Sequence, residues 1–478
     1  MPNMKPNTFR AHAHELVDWM ADFLEQLEEH RVVPETKPGD IRAQLPSSAP
    51  QQGEPFSQIF ADFQSTILPG MTLWNHPGWF AYFPANHSPP SILAEMLMAT
   101  LGAQCMSWQT SPAATELEQV VMQWLRELLQ LPETFVGTIQ DTASSSTLVA
   151  LLSARERVTS FQFGQKGPTG LDDKALCVYA SKETHSSIDK AVKLAGIGLD
   201  HLRHVETDAD FALCPEALEQ AIREDLQRGH RPFCVVATVG TTSSSALDPL
   251  PAIGAICQKY DLWLHVDAAY AGTAAILPEK RALLDGIEYA DSFVFNPHKW
   301  MFTNFDCSAY FVKDVDLLLR TFQTNPEYLK TEYDPQVVNF RDWGIPLGRR
   351  FRALKLWFVM RHYGVEGLQD LIRQHIRWAG ELVTWIEADP DFECLAPAPL
   401  GLVCFRYHPA GCDDEVMLDR YNQTLLERIN ATGSCHLTHT RLGGKYTIRL
   451  CVGQLYTQRE HVVKAWELCK QIVQEGLE

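Results

Sequence analysis

The sequence predicts an α/β protein built on a largely parallel central sheet with helices on both faces. Between residues 90 and 320, short apolar runs alternate with segments of helical periodicity. Strands that are apolar throughout are typical of a sheet covered on both sides, and their alternation with helices is typical of parallel strands. The predicted strands are ALCVYAS at 175–181, CVVATV at 234–239, LWLHVD at 262–267, SFVFN at 292–296 and CSAYFV at 307–312.

The chain before this sheet has a different pattern. Apolar residues recur at helical spacing over residues 9–29, which predicts an amphipathic helix. Prolines at 34, 38, 46, 50 and 55 follow it, so we expect no regular element there. A helix with one apolar face and a long tether fits an arm that lies on another body. It fits a first helix packed on its own domain equally well.

The chain after the sheet predicts a smaller α+β domain, because helical and strand patterns are mixed there without the apolar parallel runs. The predicted elements are a long helix at 349–387, strands GLVCFRY at 401–407 and KYTIRLCVG at 445–453, a turn at Gly443-Gly444 and a closing helix at 458–475.

Composition and charge restrict the function classes. The chain has 478 residues, 45% hydrophobic and 21% charged, as in ordinary soluble globular proteins. Its 41 basic and 59 acidic side chains give a net charge of −18, which disfavours nucleic acids and anionic membranes as partners. The 12 cysteines show no CxxC spacing and the histidines no HExxH motif, so we assign no metal. No apolar run is long enough to span a bilayer, and we expect a soluble cytoplasmic protein.

Polar residues directly follow three of the predicted strands. Ligands bind beyond the carboxyl ends of strands in open α/β sheets, and buried ionisable groups are costly without a partner. Three such segments in one sheet therefore predict a binding site at this edge. The segments are Gly240-Thr241-Thr242, Asp267-Ala268-Ala269 and Asn296-Pro297-His298-Lys299.

Lys299 and Asp267 indicate a specific cofactor. Apolar residues flank Lys299 on both sides, and an enclosed lysine has a lowered pKa and forms Schiff bases with aldehydes. Asp267 ends the apolar run LWLHVD and needs a positive partner, which a pyridinium nitrogen would supply. Pyridoxal 5'-phosphate requires this pairing of a lysine on its aldehyde and an acid on its ring nitrogen.

The phosphate of that cofactor also needs hydrogen-bond donors. The run TASSST at 142–147 stands before a helical segment, and the free N–H groups at a helix start bind anions. Serine and threonine are also ordinary helix caps, so the run indicates a phosphate site only in combination with Lys299 and Asp267. His185 follows the strand at 175–181 and precedes a helix, where it would either cap that helix or stack on a ring.

Four segments of the chain are specific enough to compare with known families: ETHSSIDKA, HVDAAYAG, FNPHKWMFTNFDCSAYFV and WGIPLGRRFRALKLWFVMR. Together they closely resemble the pyridoxal-phosphate-dependent group II decarboxylases, in particular the aromatic L-amino acid decarboxylase branch. The resemblance implies fold type I, the aspartate-aminotransferase architecture, and a homodimer with active sites at its interface. It divides the chain into a dimer-swapped N-terminal helical arm at 1–86, a large cofactor-binding domain at 87–356 and a small C-terminal domain at 357–478.

The same resemblance implies roles for individual residues. Lys299 would form the Schiff base, Asp267 would pair with the pyridinium nitrogen, and His185 would stack on the ring. Tyr328, in NPEYLK, would return a proton to the substrate Cα from a lid at 321–342. The other cofactor contacts implied are Ala269 on the opposite ring face, Thr242 near the ring, and Ala143, Ser144, Asn296 and His298 at the phosphate. The implied substrate pocket is Trp79, Tyr82, Phe83, Pro84, Ala85, Gln104, Met106 and Gly348, partly across the interface.

The implied reaction is decarboxylation of an aromatic L-amino acid to its arylalkylamine and CO₂, with tryptophan, 5-hydroxytryptophan, dopa, tyrosine and phenylalanine as candidate substrates. The alternative is an aromatic aldehyde synthase, since such relatives share the fold. They typically carry phenylalanine in place of Tyr328 or a changed residue at the position of His185. Both residues are retained here, which favours simple decarboxylation. A catalytically silent binding protein would not need the catalytic residues, and an acidic-substrate decarboxylase would need a basic pocket residue.

Within the implied pocket, four positions bear on the substrate. Gly348 stands where histidine decarboxylases and some tyrosine-preferring relatives carry serine, so a large ring fits better than imidazole. Gln104 and Met106 stand where animal aromatic decarboxylases have Ile and Phe, and Ala85 replaces a threonine that approaches a catechol. These three changes count against a catechol preference. Gln104 would either hydrogen-bond a ring substituent or face solvent near the mouth of the pocket.

Overall fold

The computed structural model describes residues 4–168, 174–324 and 326–477 of the chain. The helices before the centre of the chain are α1 (Pro6–Glu25), α2 (Asp40–Gln44), α3 (Phe56–Asp62), α4 (Pro89–Leu101), α5 (Pro112–Leu128), α6 (Ala143–Val158), α7 (Gln162–Lys166), α8 (Ser187–Leu194) and α9 (Pro215–Gln227). The later helices are α10 (Leu250–Tyr260), α11 (Pro297–Trp300), α12 (Val315–Phe322), α13 (Arg352–Glu387), α14 (Glu415–Thr432) and α15 (Arg459–Gln474).

The strands form two separate sheets. Those of the larger sheet are β1 (Val136–Gln140), β2 (Leu176–Ser181), β3 (Leu202–Val205), β4 (Arg231–Thr238), β5 (Trp263–Asp267), β6 (Ser292–Phe295) and β7 (Ser308–Val312). Those of the smaller sheet are β8 (Phe392–Cys394), β9 (Leu402–Tyr407), β10 (Thr438–Leu442) and β11 (Lys445–Cys451).

The larger sheet confirms the predicted α/β class. Its order is β1-β7-β6-β5-β4-β2-β3, and every pairing from β6 to β3 is parallel, whereas β7 is antiparallel to both its neighbours. Successive residues point to opposite faces of a strand, so Val235 and Val236 of β4 enter hydrophobic clusters on different sides of the sheet. All five predicted strands are present, each within three residues of its predicted bounds.

Two strands of this sheet were not predicted from the sequence. β1 and β3 form its two edges. β3 reads LRHV, with an exposed histidine, and β1 reads VGTIQ, which begins on an exposed valine. Edge strands are covered less completely than central ones, so their sequences lack the continuous apolar run on which the prediction depended.

The N-terminal segment forms the predicted amphipathic helix, but that helix packs little surface within its own chain. None of the residues of α1 is buried, and Phe9 and Val17 are 58% and 43% exposed. The expectation of no regular element among the following prolines is wrong at one place, since α2 is a short helix there. Gly39 precedes it with a φ of 100°, which favours glycine, and Asp40 accepts the Lys37 N–H at 2.8 Å.

The smaller sheet confirms the predicted α+β pattern at the C-terminus. Its order is β10-β11-β9-β8, all pairings are antiparallel, and β10 and β11 are joined by the predicted Gly443-Gly444 turn. α13 contacts α4 and α5 as well as α15 and β8, so it connects the two sheets. The predicted domain boundary between residues 356 and 357 lies inside α13, and the three-part division stays a prediction. Among the described residues, no helix combines the length and apolar character needed to cross a bilayer.

Candidate active site

One cavity lies at the carboxyl ends of β4 and β5, beside the first turns of α6 and α11. All nine residues predicted to contact the cofactor line it, because the parallel strands bring distant stretches of chain to the same edge of the sheet. The complete lining is Phe83, Thr142, Ala143, Ser144, His185, Thr238, Gly240, Thr242, Asp267, Ala269, Tyr270, Asn296, His298 and Lys299.

Lys299 is carried by α11, a single helical turn that follows β6 directly. Pro297 occupies the first position of that turn, and the Lys299 N–H donates to the Asn296 carbonyl at 2.9 Å. Burial lowers the pKa of the Lys299 amine, and the nearby negative charge of Asp267 offsets this only in part. A larger neutral fraction makes this amine a better nucleophile.

Asp267 is a buried carboxylate that lacks a cationic partner in the structure. It ends β5 and is 4% exposed, and its Oδ1 accepts the Ala269 N–H at 3.0 Å. Among the described residues, no lysine, arginine or histidine nitrogen forms an ion pair with it. A buried charge needs compensation, and the protonated ring nitrogen of a pyridine would provide it. The chemistry of this site therefore fits the predicted cofactor.

His185 lies between β2 and α8 with a fixed ring tautomer. Its Nδ1 accepts the Ser187 backbone N–H at 3.2 Å, so a neutral ring carries its proton on Nε2. Burial lowers the pKa of His185, and the positive charge of Lys299 acts in the same direction. The ring therefore stays neutral near pH 7 and presents an N–H donor on its Nε2 side.

A set of donors surrounds the opposite end of the cavity. Thr142 caps α6, leaving the N–H groups of Ala143 and Ser144 at the free helix start. The side-chain Oδ1 of Asn296 accepts a hydrogen bond from Ser308 Oγ at 2.7 Å, so the side-chain Nδ2 of Asn296 remains a donor. His298 Nδ1 accepts the Cys307 N–H at 2.9 Å, and burial lowers the pKa of His298 to about 3. These neutral donors suit a phosphate.

Sequence reasoning missed part of the lining. Thr238 and Tyr270 line the cavity but were not predicted to do so, whereas Thr142 and Gly240 lie in the segments predicted for the site and were not singled out as cofactor contacts. Arg449 of β11 was also missed. It is 4% exposed, its guanidinium carbon lies 5.6 Å from the centroid of the Phe83 ring, and it donates to the Thr242 carbonyl at 2.7 Å. No local pattern around residue 449 indicates this contact.

The predicted substrate residues are mostly separate from this cavity within one chain. Of the eight, all of them described, Phe83 is the one that lines it. Trp79 is 3% exposed, and its ring lies 4.4 Å from Trp74 and 5.3 Å from His436 between centroids. Tyr82 is 53% exposed and stacks on Trp74, a residue that was not predicted for the site. The neighbouring Pro84 packs against Gly453, which follows β11, and Ala85 is the next residue in the chain.

Gln104 and Gly348 form a second group, held by a buried ion pair. Gln104 Oε1 accepts the Arg349 N–H at 2.8 Å, and the Arg349 guanidinium binds both Glu118 oxygens at 2.8 and 3.0 Å. The Met106 carbonyl accepts the Arg341 N–H at 2.8 Å on the adjoining segment. These interactions bring together three residues predicted for the pocket from two distant parts of the chain.

Tyr328 lies outside the cavity of its own chain. It is 80% exposed, in a short 3-10 turn at Glu327–Leu329. Asp334 ties the rest of this segment together by accepting from Thr331 Oγ1 at 2.6 Å and Asn339 Nδ2 at 3.0 Å. The predicted lid at 321–342 includes residue 325, which is outside the described residues, and its closure stays a prediction.

Two groups of possible metal ligands occur elsewhere in the described chain. In the first, the carboxylate of Asp225 is bound by the Arg203 guanidinium at 2.7 Å and by Tyr179, so a cation already compensates it. In the second, His461 Nδ1 accepts the Gln458 N–H at 2.8 Å, so its Nε2 carries the proton that faces Glu28. Neither arrangement offers a free set of lone pairs, and we assign no metal to them.

The chain is similar to a known family over most of its length. Residues 38–408 match the pyridoxal-dependent decarboxylase conserved domain. The chain is 44% identical over 478 residues to a phenylacetaldehyde synthase of Arabidopsis thaliana, covering 98% of this chain and 96% of that protein. It is 45% identical over 477 residues to tryptophan decarboxylase 2 of Oryza sativa subsp. japonica, covering 98% and 95%.

Solved structures show the same fold. The crystal structure of Oryza sativa TDC with PLP and tryptamine superposes with a TM-score of 0.96 at 37% identity, covering 100% of both chains. That of Catharanthus roseus tryptophan decarboxylase in complex with L-tryptophan gives a TM-score of 0.93 at 40% identity, covering 99% of this chain and 100% of that one. The fold-type I architecture expected from the sequence is therefore confirmed.

Proposed function

This chain belongs to the pyridoxal-dependent decarboxylase family, in its aromatic amino acid branch, and we propose that it converts an aromatic L-amino acid to the arylalkylamine and CO₂. Members of this branch act on aromatic amino acids as decarboxylases or as aldehyde synthases and use pyridoxal 5'-phosphate. The observation that carries the proposal is the pair of Lys299 and Asp267 in one cavity. The first is a lysine with a lowered pKa, and the second is a buried carboxylate that forms no ion pair with the described residues.

Different residues of the cavity would bind different parts of the cofactor. When bound, pyridoxal 5'-phosphate supplies an electron sink for the bond that breaks at the substrate Cα. Lys299 Nζ would attach its aldehyde, and Asp267 would keep a proton on its ring nitrogen. The N–H groups at the start of α6, together with Asn296 and His298, would bind its phosphate. The neutral ring of His185 would pack on the cofactor and offer its Nε2–H to the substrate.

The presence of both His185 and Tyr328 supports decarboxylation over aldehyde synthesis. The Tyr328 phenol donates a proton to Cα, which completes the amine before oxygen reacts. Because Tyr328 lies outside the cavity of its own chain, it must reach the site by movement of its segment or from a second copy of the chain.

A homodimer is the assembly that we propose. α1 has an apolar face and no buried residue, and Leu93, Leu97 and Leu101 of α4 are 54%, 47% and 67% exposed. Large contiguous apolar surfaces on a soluble chain mark interaction sites. A mass in solution of twice 54.0 kDa tests this proposal. Cytoplasmic location stays a prediction.

The substrate class proposed is a large aromatic amino acid, with tryptophan, 5-hydroxytryptophan, dopa, tyrosine and phenylalanine as the candidates. Gly348 carries no side chain at its close contact with the Gln104 amide, and a glycine at this position supports a ring larger than imidazole. Phe83 offers an aromatic face at the cavity itself. Met106 and Ala85 provide no hydroxyl for a catechol, so tryptophan or a related indole is favoured.

One assay tests the proposal. Purified holoenzyme is offered each of the five amino acids separately, while amine, CO₂ and hydrogen peroxide are measured together. Amine and CO₂ in equal amounts without peroxide are expected for at least one of them, whereas aldehyde with peroxide would contradict the proposal. Lys299→Ala is the control, because its turnover should fall by ~10⁴-fold or more while the fold is retained. Retained turnover in that variant would remove Lys299 from the chemistry.

A further inference from the structure

Four rings lie nearly parallel between α13 and the wall of the cofactor cavity. The rings of Phe83 and Tyr270 stack at 4.1 Å between centroids, and those of Tyr270 and Trp300 at 4.6 Å, both with 13° between planes. The His375 ring continues from the edge of Trp300 with 8° between their planes. We call these four residues the ring series. None is more than 8% exposed, so the series runs through the protein interior.

A hydrogen bond joins the last two members of the ring series. The Trp300 Nε1–H donates to His375 Nδ1 at 3.0 Å. An indole N–H is a donor only, so His375 Nδ1 must be the acceptor and its proton must lie on Nε2. Burial lowers the pKa of His375 to about 3, so the ring remains a neutral acceptor across the range in which enzymes work. The bond therefore has one direction, from the indole of Trp300 to the imidazole of His375.

The ring series contacts Lys299 at two points. Trp300 is the next residue along α11, so it shares one helical turn with Lys299. At the other end, the Phe83 ring faces the lysine, with Nζ 5.2 Å from the ring centroid. Phe83 and Tyr270 also line the cavity. A shift of the ring series would move both the backbone of Lys299 and the Phe83 ring that faces its amine.

A neighbouring tryptophan shows that a buried indole in this region does not depend on such a bond. Trp378 lies one turn after His375 on α13 and is 5% exposed, yet its Nε1 has no hydrogen-bond partner in the described part of the chain. The bond from Trp300 to His375 is therefore a particular feature of the ring series. It ties a helix of the C-terminal half to the turn that carries the lysine.

We propose that His375 is a positioning residue for Lys299, acting through Trp300 and the rest of the ring series. This inference rests on the proposed attachment of the cofactor to Lys299. His375 does not line the cofactor cavity. Its role is to hold the turn of α11 so that the Lys299 amine stays enclosed beside Phe83. If the hydrogen bond is removed, the amine becomes more exposed to water, and its reactivity near pH 7 falls.

The experiment measures Lys299 without turnover. Pyridoxal 5'-phosphate is added to apo protein, and the rate at which visible absorbance develops is followed from pH 6 to 10. The variants are His375→Leu, which removes the acceptor, His375→Asn, which keeps an acceptor near the Nδ1 position, and Trp300→Phe, which removes the donor but keeps a ring. Trp378→Phe is the matched control, since it removes an indole N–H that makes no bond.

His375→Leu and Trp300→Phe should each raise the pH midpoint of this rate by about one unit and slow the reaction at pH 7 about 10-fold, because the neutral fraction of the amine falls tenfold per unit. His375→Asn should restore most of the rate, and the double variant should be no worse than either single one. Wild-type midpoints in both single variants, or losses that add in the double variant, would overturn the inference. If wild-type protein itself develops no absorbance, the proposed role of Lys299 fails instead. If one of these two variants does not fold, the pH midpoint of the variant at the other end of the hydrogen bond tests the inference.

Discussion

Gln104 and Gly348 are packed so closely that a Cβ added to Gly348 would lie 3.1 Å from Gln104 Nε2. Gln104 has little freedom to retreat, because its Oε1 accepts the Arg349 N–H at 2.8 Å. Arg349 is itself fixed by Glu118 in the protein interior. A side chain at position 348 would therefore press against a Gln104 amide that Arg349 holds in place.

Gly348→Ser should lower kcat/KM for tryptophan about 10-fold more than for tyrosine. A lost contact or a small steric change in a binding pocket is worth about 1–3 kcal/mol, and the larger ring needs the space that glycine leaves. Steady-state kinetics with both substrates measure the difference. Gly380→Ser is the control, since a Cβ there meets nothing within 4 Å. Equal losses for the two substrates would place Gly348 outside the pocket.

Tyr328→Phe should redirect the product from amine to aldehyde, with hydrogen peroxide rising as amine falls. The variant retains the ring but loses the phenolic proton, so protonation of Cα becomes slow and oxygen competes. Amine, aldehyde and peroxide are measured in one reaction. Tyr333→Phe, on the same segment, should leave the product ratio unchanged. An unaltered amine yield in Tyr328→Phe would refute the role of this phenol.

Glu118→Gln should reduce the free energy of unfolding by about 3–5 kcal/mol, because it leaves the charge of Arg349 buried without its partner. The two side chains are only 3% and 6% exposed. Urea unfolding measures the change. Arg373→Gln breaks the exposed pair with Glu279 and should have a far smaller effect. A small loss in Glu118→Gln would mean that water reaches this pair.

His265 should make the apo protein less stable in acid. Burial lowers its pKa to about 4 in the folded chain, whereas the unfolded chain takes up that proton near pH 6.5. The unfolded state therefore gains protons first, and this contribution to stability, complete above pH 6.5, is lost as pH falls towards 4, at about 1.4 kcal/mol per unit.

His265→Gln should remove that slope from a plot of unfolding free energy against pH between 6.5 and 4.5. The variant is also expected to lose stability at every pH because His265 bonds Ser292 Oγ at 2.9 Å, so the slope is the diagnostic quantity. His14→Gln, on the exposed face of α1, should leave the slope unchanged. Parallel lines for wild type and His265→Gln would contradict the prediction.

The cofactor end of the site was predictable from the sequence because its residues stand directly after strands. A parallel sheet brings such residues to one edge whatever the loops do, so Asp267 and Lys299 could be paired before any coordinates were known. The ring series could not be predicted in this way. Tyr270 and His375 are far apart in the chain, and only tertiary packing brings their rings into line.

The exposure of residues in the loop that contains Trp74 and Trp79 could not be predicted from the sequence either. Trp74 and Trp79 are both aromatic residues in one loop, and which of them is exposed depends on contacts with His436 in the C-terminal part. Trp79 was predicted for the substrate pocket, yet it is the more deeply buried of the two, and its role there stays a prediction. Sequence periodicity says nothing about loops of this kind.

The first helical stretch of α13 has a practical consequence for dissecting the protein. α13 consists of two helices joined by a kink at Gly364, where φ is 64° and ψ is 174°, and a fragment that stopped at residue 356 would end within the first turns of the first helix. Such a fragment would lose the remaining turns of α13, and the apolar surface of α4 and α5 that they cover would become exposed. The complementary fragment would begin with a frayed helix end. Recombinant work on either half should therefore start from the intact polypeptide.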